Sequence, residues 1–243
     1  MADVTPLLVA TGLKRHFGGL RAVDGVDFSL PAGEIRAIIG PNGAGKTTFV
    51  SLLSGRLEPS EGRVTFAGED VTRLPAYRRV QRGIAYTFQI TNIYLTKSVA
   101  DNVRVAVESR ARRERGVEFE AATLEALQAV GLEDRAETPA GELAYGHQRL
   151  LEVAMGLALR PKLLILDEPT QGLSDAEIRA FIALVRRIAE TATVLLIEHN
   201  MDVVMALADR ITVLARGQVL AEGTPAEIRA NSEVQAAYLG TPC

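Results

Sequence analysis

Tryptophan is absent from these 243 residues, cysteine occurs once, at Cys243, and histidine only three times. One thiol builds no disulfide framework within the chain and no sulfur-rich metal site, so a reducing compartment is the expected setting. Neither sign of charge dominates: 27 Lys and Arg stand against 30 Asp and Glu, a formal charge of −3. That balance leaves no footprint for bulk nucleic-acid binding, and no nucleic acid is expected as a partner. Long hydrophobic runs are missing as well. Stretches such as Val194 to Ile197 fall far short of the roughly 20 apolar residues of a membrane-spanning helix, so a soluble or peripheral protein is expected. The start, MADVTPLLVATGLKRHF, lacks the basic, apolar and small-residue succession of a secretory signal, and none is expected.

An apolar share of 47% and a charged share of 23% are ordinary for a globular protein able to bury a core. The length fits one large domain. Short β-rich runs at Glu34 to Ile39, Gly83 to Phe88, Leu163 to Leu166, Thr193 to Ile197 and Ile211 to Leu214 alternate with helical stretches. This is the pattern of an α/β domain on a mainly parallel sheet. Residues 1–33, with Gly and Pro-Ala-Gly turns in VDGVDFSLPAGE, read as a smaller antiparallel lobe. Residues 34–90 and 161–243 read as the core. Between 91 and 160 the strand signal gives way to helical spacing at Val99, Val103, Ala106 and Val107 and at Leu124, Leu127 and Val130, a helical insertion. Its densest charge run, Arg110, Arg112, Arg113 and Arg115, reads as a solvated helix face, with lipid headgroups or a partner as the alternative.

Gly40-Pro41-Asn42-Gly43-Ala44-Gly45-Lys46-Thr47 follows the apolar strand IRAII and precedes the helix-compatible TTFVSLL. It fits G-x-x-x-x-G-K-[ST], a loop whose backbone amides and following helix N-terminus face phosphate oxygens. Lys46 adds a full charge for the outer phosphates, the Thr47 hydroxyl suits Mg²⁺, and Thr48 lies within reach of the α-phosphate. Leu163 to Leu166 lead into Asp167 and Glu168. Asp167 is expected to support Mg²⁺, and Glu168, turned differently by strand alternation, to orient or deprotonate water.

Four further segments occur in order: Gln89 after YTF, Leu143-Ala144-Tyr145-Gly146-His147-Gln148, Gly172-Leu173-Ser174, and His199 after VLLIE. With the two motifs above, the chain resembles the nucleotide-binding subunits of ATP-binding cassette (ABC) transporters over nearly its whole length. FGGLRAV, TFQ and the ending EGTPAEIRAN look most like the Liv-type subunits that energise branched-chain amino-acid import. Lipopolysaccharide-export ATPases share much of the C-terminal pattern and are the alternative. DNA-repair cassettes carry long heptad-rich insertions, which the 54-residue step from Gln89 to Leu143 does not hold. Translation-associated cassettes carry two motif sets; this chain has one.

The resemblance implies a P-loop NTPase fold with a RecA-like core, an antiparallel lobe and a helical subdomain. It also implies Mg²⁺-dependent ATP hydrolysis. Gln89 would reach Mg²⁺ and the attacking water, His199 the γ-phosphate, and the Phe17 ring would stack on adenine, with core packing as its rival reading. Ala144, Tyr145, Gly146 and His147 stand where the family has its L-S-G-G-Q segment, which touches ATP bound to the opposite subunit. Here Ala144 replaces Ser and Tyr145 replaces Gly, which implies a weakened trans contact. Ser174 stands where Asp is usual, and with Asp175, Ala176 and Glu177 it also forms a helix capping box. Implied partners are a second ATP-binding subunit, identical or paralogous, membrane permease subunits met by Ile90, Ile93, Tyr94 and Leu95, and a periplasmic or extracellular substrate-binding protein. The implied location is peripheral, on the cytoplasmic face of the inner membrane.

Overall fold

The computed structural model describes residues 6–87 and 92–239. β1 (Pro6–Phe17) and β2 (Leu20–Pro31) form a long antiparallel hairpin. Its alternation sends Leu8, Ala10 and Leu13 from one strand, and Val26, Phe28 and Leu30 from the other, to the buried face. β3 (Ile35–Ile39) is buried at every position, as befits a strand covered on both faces. α1 (Lys46–Ser54) follows the glycine-rich loop and ends on Gly55. β4 (Glu61–Phe66) and the two-residue β5 (Glu69–Asp70) then return to the hairpin, making a four-stranded antiparallel sheet in the order β2-β1-β4-β5. The antiparallel sheet therefore draws on a segment that the sequence had placed with the core. Only Val64 and Phe66 of β4 are buried, too short an alternation to announce a strand.

α2 (Ala76–Arg82) leads to β6 (Ile84–Tyr86). The helices α3 (Val99–Ala111), α4 (Phe119–Val130) and α5 (Tyr145–Ala158) pack on one another. The chain closes through β7 (Leu163–Asp167), α6 (Asp175–Ala189), β8 (Thr193–Ile197), α7 (Met201–Leu207), β9 (Arg210–Ala215), β10 (Gln218–Gly223), α8 (Pro225–Ala230) and α9 (Ser232–Leu239). The second sheet has the order β10-β9-β3-β8-β7-β6, parallel except for β10. This is the α/β architecture expected from the alternation of runs.

Strand period assigns each residue of the central strands to one of two cores. Leu164 and Leu166 of β7 and Val194 and Leu196 of β8 join Val103, Val107, Leu127 and Leu151 of the helical insertion. Leu163, Ile165, Leu195 and Ile197 face the other way, onto Phe49 and Leu53 of α1 and Phe28 and Phe66 of the antiparallel sheet. By the same period Asp167 falls on the α1 side. A buried guanidinium group fastens the layers. Arg79 donates to the carbonyls of Leu52 and Leu53 at 2.7 Å each, of Thr72 at 2.9 Å and of Leu74 at 3.0 Å. It thereby closes the C-terminal end of α1, whose last carbonyls have no partner within the helix. Burial lowers its pKa to about 10.

Arg110 corrects the reading of the arginine run as a solvated face. It is buried, ion-paired with Glu114 at 2.9 Å, and reaches the Ala158 carbonyl. Arg113 donates to the carbonyls of Val80, Gln81 and Leu159. Helix C-termini with unmet carbonyls stand opposite this run, so two of its four arginines are structural.

Candidate nucleotide site

The loop between β3 and α1 is shaped first by its own neighbours. At Gly40 (φ 152°) a Cβ would fall on the Leu214 carbonyl of β9, and at Gly45 (φ 97°) on the Ala22 carbonyl of β2. Both glycines are required by backbone packing before any ligand is considered. α1 begins at Lys46 directly on the left-handed Gly45, with no side-chain cap, so its first amides are left for an external acceptor. Lys46 is buried and arches back over the loop, donating from Nζ to the Gly40 carbonyl at 2.7 Å and the Pro41 carbonyl at 3.1 Å. Burial lowers its pKa, opposed by the charges of Glu168 and Asp167.

Asp167, at the end of β7, is almost wholly buried. Its Oδ2 accepts from the Tyr86 hydroxyl, while Oδ1 is buried with no hydrogen-bond partner among the described residues. Burial raises its pKa, and the Tyr86 bond offsets part of that rise. Tyr86 is itself pushed up, by burial first and then by the carboxylate. A buried acceptor left unmet is costly unless an external partner supplies the missing contact. Among the described residues no group of three or more His, Cys, Asp or Glu could hold a metal. One carboxylate and one hydroxyl, Asp167 and Thr47, fit an ion such as Mg²⁺, which keeps waters and takes its remaining oxygens from substrate phosphates.

Glu168 has a left-handed backbone, φ 48°. Strand alternation therefore does not orient it; this local turn does, at a strain of order 1–3 kcal/mol for a residue with a Cβ. The turn brings Glu168 to His199, whose Nε2 meets its Oε1. A cavity of about 620 Å³ gathers Asn42, Gly43, Ala44, Gly45, Lys46, Thr47 and Thr48 with Glu168 and His199. Gly40 and Pro41 support the loop through their carbonyls rather than lining the cavity. Phe17 stands outside the lining, 43% exposed, with the Arg15 guanidinium 4.7 Å over its ring. Such exposure removes the core-packing reading. Gln89 and Ile90 lie outside the described residues.

Three residues at or beside this cavity were not singled out from the sequence. Arg21 and Arg216 line it, the latter in the turn between β9 and β10, with φ 51°. Glu198, buried, accepts from the backbone of Thr170 at 3.0 Å, His199 at 2.7 Å and Asn200 at 3.0 Å. It joins the loop after β7 to the loop after β8. Its position at the end of VLLIE, one residue before His199, is the signal that could have marked it.

Ala144, Tyr145, Gly146 and His147 are not brought to this cavity. Ala144 is the N-cap of α5 and gives no side-chain cap. Tyr145 is 44% exposed, packs against Gly172 and carries Arg149 5.3 Å over its ring. Gly146 and His147 line a separate depression with Leu173 and Glu177. The capping box at α6 is present: Glu177 N donates to Ser174 Oγ at 3.4 Å, and Ser174 N to Glu177 Oε2 at 2.8 Å. Beyond it, Ile93 packs on the core of the insertion, whereas Tyr94 and Leu95 are exposed at 57% and 54%.

A family model described as "ABC transporter" matches residues 23–171, and one described as "Branched-chain amino acid ATP-binding cassette transporter" matches residues 218–242. The high-affinity branched-chain amino acid transport ATP-binding protein BraF of Pseudomonas aeruginosa is 39% identical, over 97% of this chain and 98% of its own. LivG of Escherichia coli K12, of the same description, is 38% identical over 97% and 98%. Among solved structures, a nucleotide-free ATP-binding cassette from an ABC transporter superposes with a TM-score of 0.87 at 28% identity, covering 97% of this chain and all of that one.

Proposed function

The chain belongs to the ATP-binding subunits of ABC transporters, and from that premise we propose that it binds ATP with Mg²⁺ over α1, hydrolyses it, and thereby powers import of branched-chain amino acids. One observation carries the chemistry. A single cavity joins the amide-lined start of α1, the Lys46 ammonium, a carboxylate and an imidazole.

In this reading the first amides of α1 and the loop amides take the phosphate oxygens. The Lys46 ammonium exchanges its two carbonyl acceptors for the outer phosphates. Thr47 and Asp167 would hold Mg²⁺, with Gln89 as a further oxygen donor, and the ion supplies charge neutralisation on the phosphates. Glu168 accepts the proton of the attacking water. His199, which meets that carboxylate through Nε2, would exchange this contact for the γ-phosphate, to which its N–H donates. Phe17 offers a ring face to adenine. Catalysis is then positioning plus electrostatic stabilisation.

Ala144, Tyr145, Gly146 and His147 lie away from this cavity and would contact ATP held by a second subunit, identical or paralogous. ATP that binds only the closed pair stabilises it by about 2.7 kcal/mol at a hundredfold excess over its dissociation constant, enough to make closure ATP-driven. Tyr94 and Leu95, both exposed, would offer apolar surface to the membrane permease subunits, in keeping with a peripheral position on the cytoplasmic face. A periplasmic or extracellular binding protein would deliver the amino acid. The cargo assignment rests on the relatives and on the C-terminal family match.

The test is reconstitution with cognate permease subunits and a substrate-binding protein, in vesicles supplied with ATP and Mg²⁺, measuring uptake of leucine, isoleucine and valine. ATP-dependent uptake of these three is the expected result. Hydrolysis without uptake of any of them would overturn the cargo, and no nucleotide binding at all would overturn the chemistry.

A further inference from the structure

Away from the nucleotide cavity, and sharing no residue with it, a second cavity of about 600 Å³ opens where the helical insertion meets the core. Its walls come from both: Ala122 and Ala126 of α4 and Ala158 of α5 on one side, Leu184 and Ile188 of α6 on the other. The volume lies within the ~300–1,000 Å³ of small-molecule sites, which combine an apolar lining with a few polar groups.

Charge decides what such an occupant carries. Four cations and one carboxylate line the cavity: Arg110, Arg160, Lys162 and Arg187 against Glu125. Arg110 is committed to Glu114 at 2.9 Å, and Arg160 to Glu125 at 2.8 Å. Lys162 and Arg187 have no carboxylate within ion-pair distance among the described residues; Arg187 donates only to the Ala129 carbonyl, at 3.1 Å. Two uncompensated cations thus stand at the mouth of an apolar floor. We propose that this seam is a binding site for a medium-chain aliphatic monocarboxylate, its headgroup between Lys162 and Arg187 and its tail on Ala126, Leu184 and Ile188. A guanidinium takes a carboxylate in two parallel hydrogen bonds, and the tail supplies the area-dependent part of the affinity. Because the walls belong to two lobes, an occupant ties the orientation of the insertion to that of α6.

The experiment is calorimetric titration of the purified chain with butyrate, hexanoate and octanoate, and with octanol as the uncharged control. Affinity should rise about fourfold per added methylene, and octanol, which meets neither cation as an ion, should bind about 25-fold more weakly than octanoate, the product of two contributions of about fivefold each. Lys162→Gln and Arg187→Gln, both at exposed positions, should each weaken octanoate about fivefold and leave octanol unchanged. Lys46→Ala should bind octanoate as the parent does, so loss of nucleotide binding does not affect this result. Equal binding of octanol and octanoate, no dependence on chain length, or indifference to both rim variants would overturn the proposal.

Discussion

The phosphate cradle and the LAYGHQ segment are both helix starts, yet the chain treats them in opposite ways. At α1 the surroundings are closed: carbonyls of β2 and β9 press on Gly45 and Gly40, Lys46 is buried over the loop, and Arg79 seals the far end of the helix. At α5 the N-cap is an alanine without a side-chain bond, and the adjoining Tyr145 is exposed and packs on Gly172 of the same chain. Both starts leave their first amides without a side-chain cap; the first is walled in by its own chain, and the second has an exposed aromatic ring beside it. On the proposed reading, in which a second ATP-binding subunit closes on this one, the first is a complete half-site and the second the half supplied to that neighbour. Their mutational behaviour should therefore differ: changes in the cradle act in the isolated chain, while changes at α5 act only in the assembly.

The largest effect on the cradle side is expected from Glu168→Gln. Removing the proton acceptor of a positioned water costs about 10²- to 10⁴-fold in rate, while the amides and Lys46 proposed to hold ATP are untouched. Turnover in the assembled transporter, measured beside nucleotide affinity, should show the first falling and the second preserved. Parallel loss of both would mean that Glu168 holds the loop rather than the water. Lys46→Ala comes next. Each charge-assisted hydrogen bond is worth about 1.5–3 kcal/mol, so ATP affinity of the isolated chain should drop about 10- to 100-fold. Unchanged affinity would remove the cradle from the comparison.

The two regions also differ in how much of them is legible in the amino-acid order. The cradle is a contiguous string, and Asp167 ends an apolar run, so their chemistry follows from neighbours in sequence. The parallel core was equally readable, because fully buried strands such as Leu163 to Asp167 stand out as apolar runs. Orientation was not. Glu168 reaches His199 through a left-handed backbone that alternation does not foresee. Support across long separations was not legible either. Tyr86 holds Asp167 from 81 positions away, Glu198 holds Thr170 from 28, and Arg110 meets a carbonyl 48 residues on. Side chains that satisfy distant backbone groups leave no periodicity behind, which is why the arginine run read as a solvated face.

On the α5 side, Ala144→Ser restores a hydroxyl at the N-cap. On the proposed pairing that hydroxyl would add one hydrogen bond to a charged phosphate of the opposite site, about 1.5 kcal/mol, or roughly tenfold in turnover of the assembled pair. ATP affinity of the isolated chain should not move, since Ala144 is absent from the nucleotide cavity. A rise in the isolated chain would contradict the division between the regions, and no rise in the assembly would mean that the backbone amides alone make the contact.

Ser174→Ala sets the lower bound of the comparison. Ser174 stands beside the second region, three residues before Glu177, whose carboxylate accepts from the Ser174 backbone at 2.8 Å and is a neighbour of Gly146. If the serine serves α6 alone, its loss removes one N-cap, about 1 kcal/mol, and lowers the melting temperature by about 2–4 °C for a chain of this size. Turnover per assembled site should then stay within about twofold, because the Glu177 carboxylate keeps its backbone bond and its place beside α5. A fall in turnover well beyond that, at the same small loss of stability, would instead assign the hydroxyl to the contact with the neighbouring subunit. The loop from Gly172 to Ser174 would then belong to the outward half of the site, together with Tyr145.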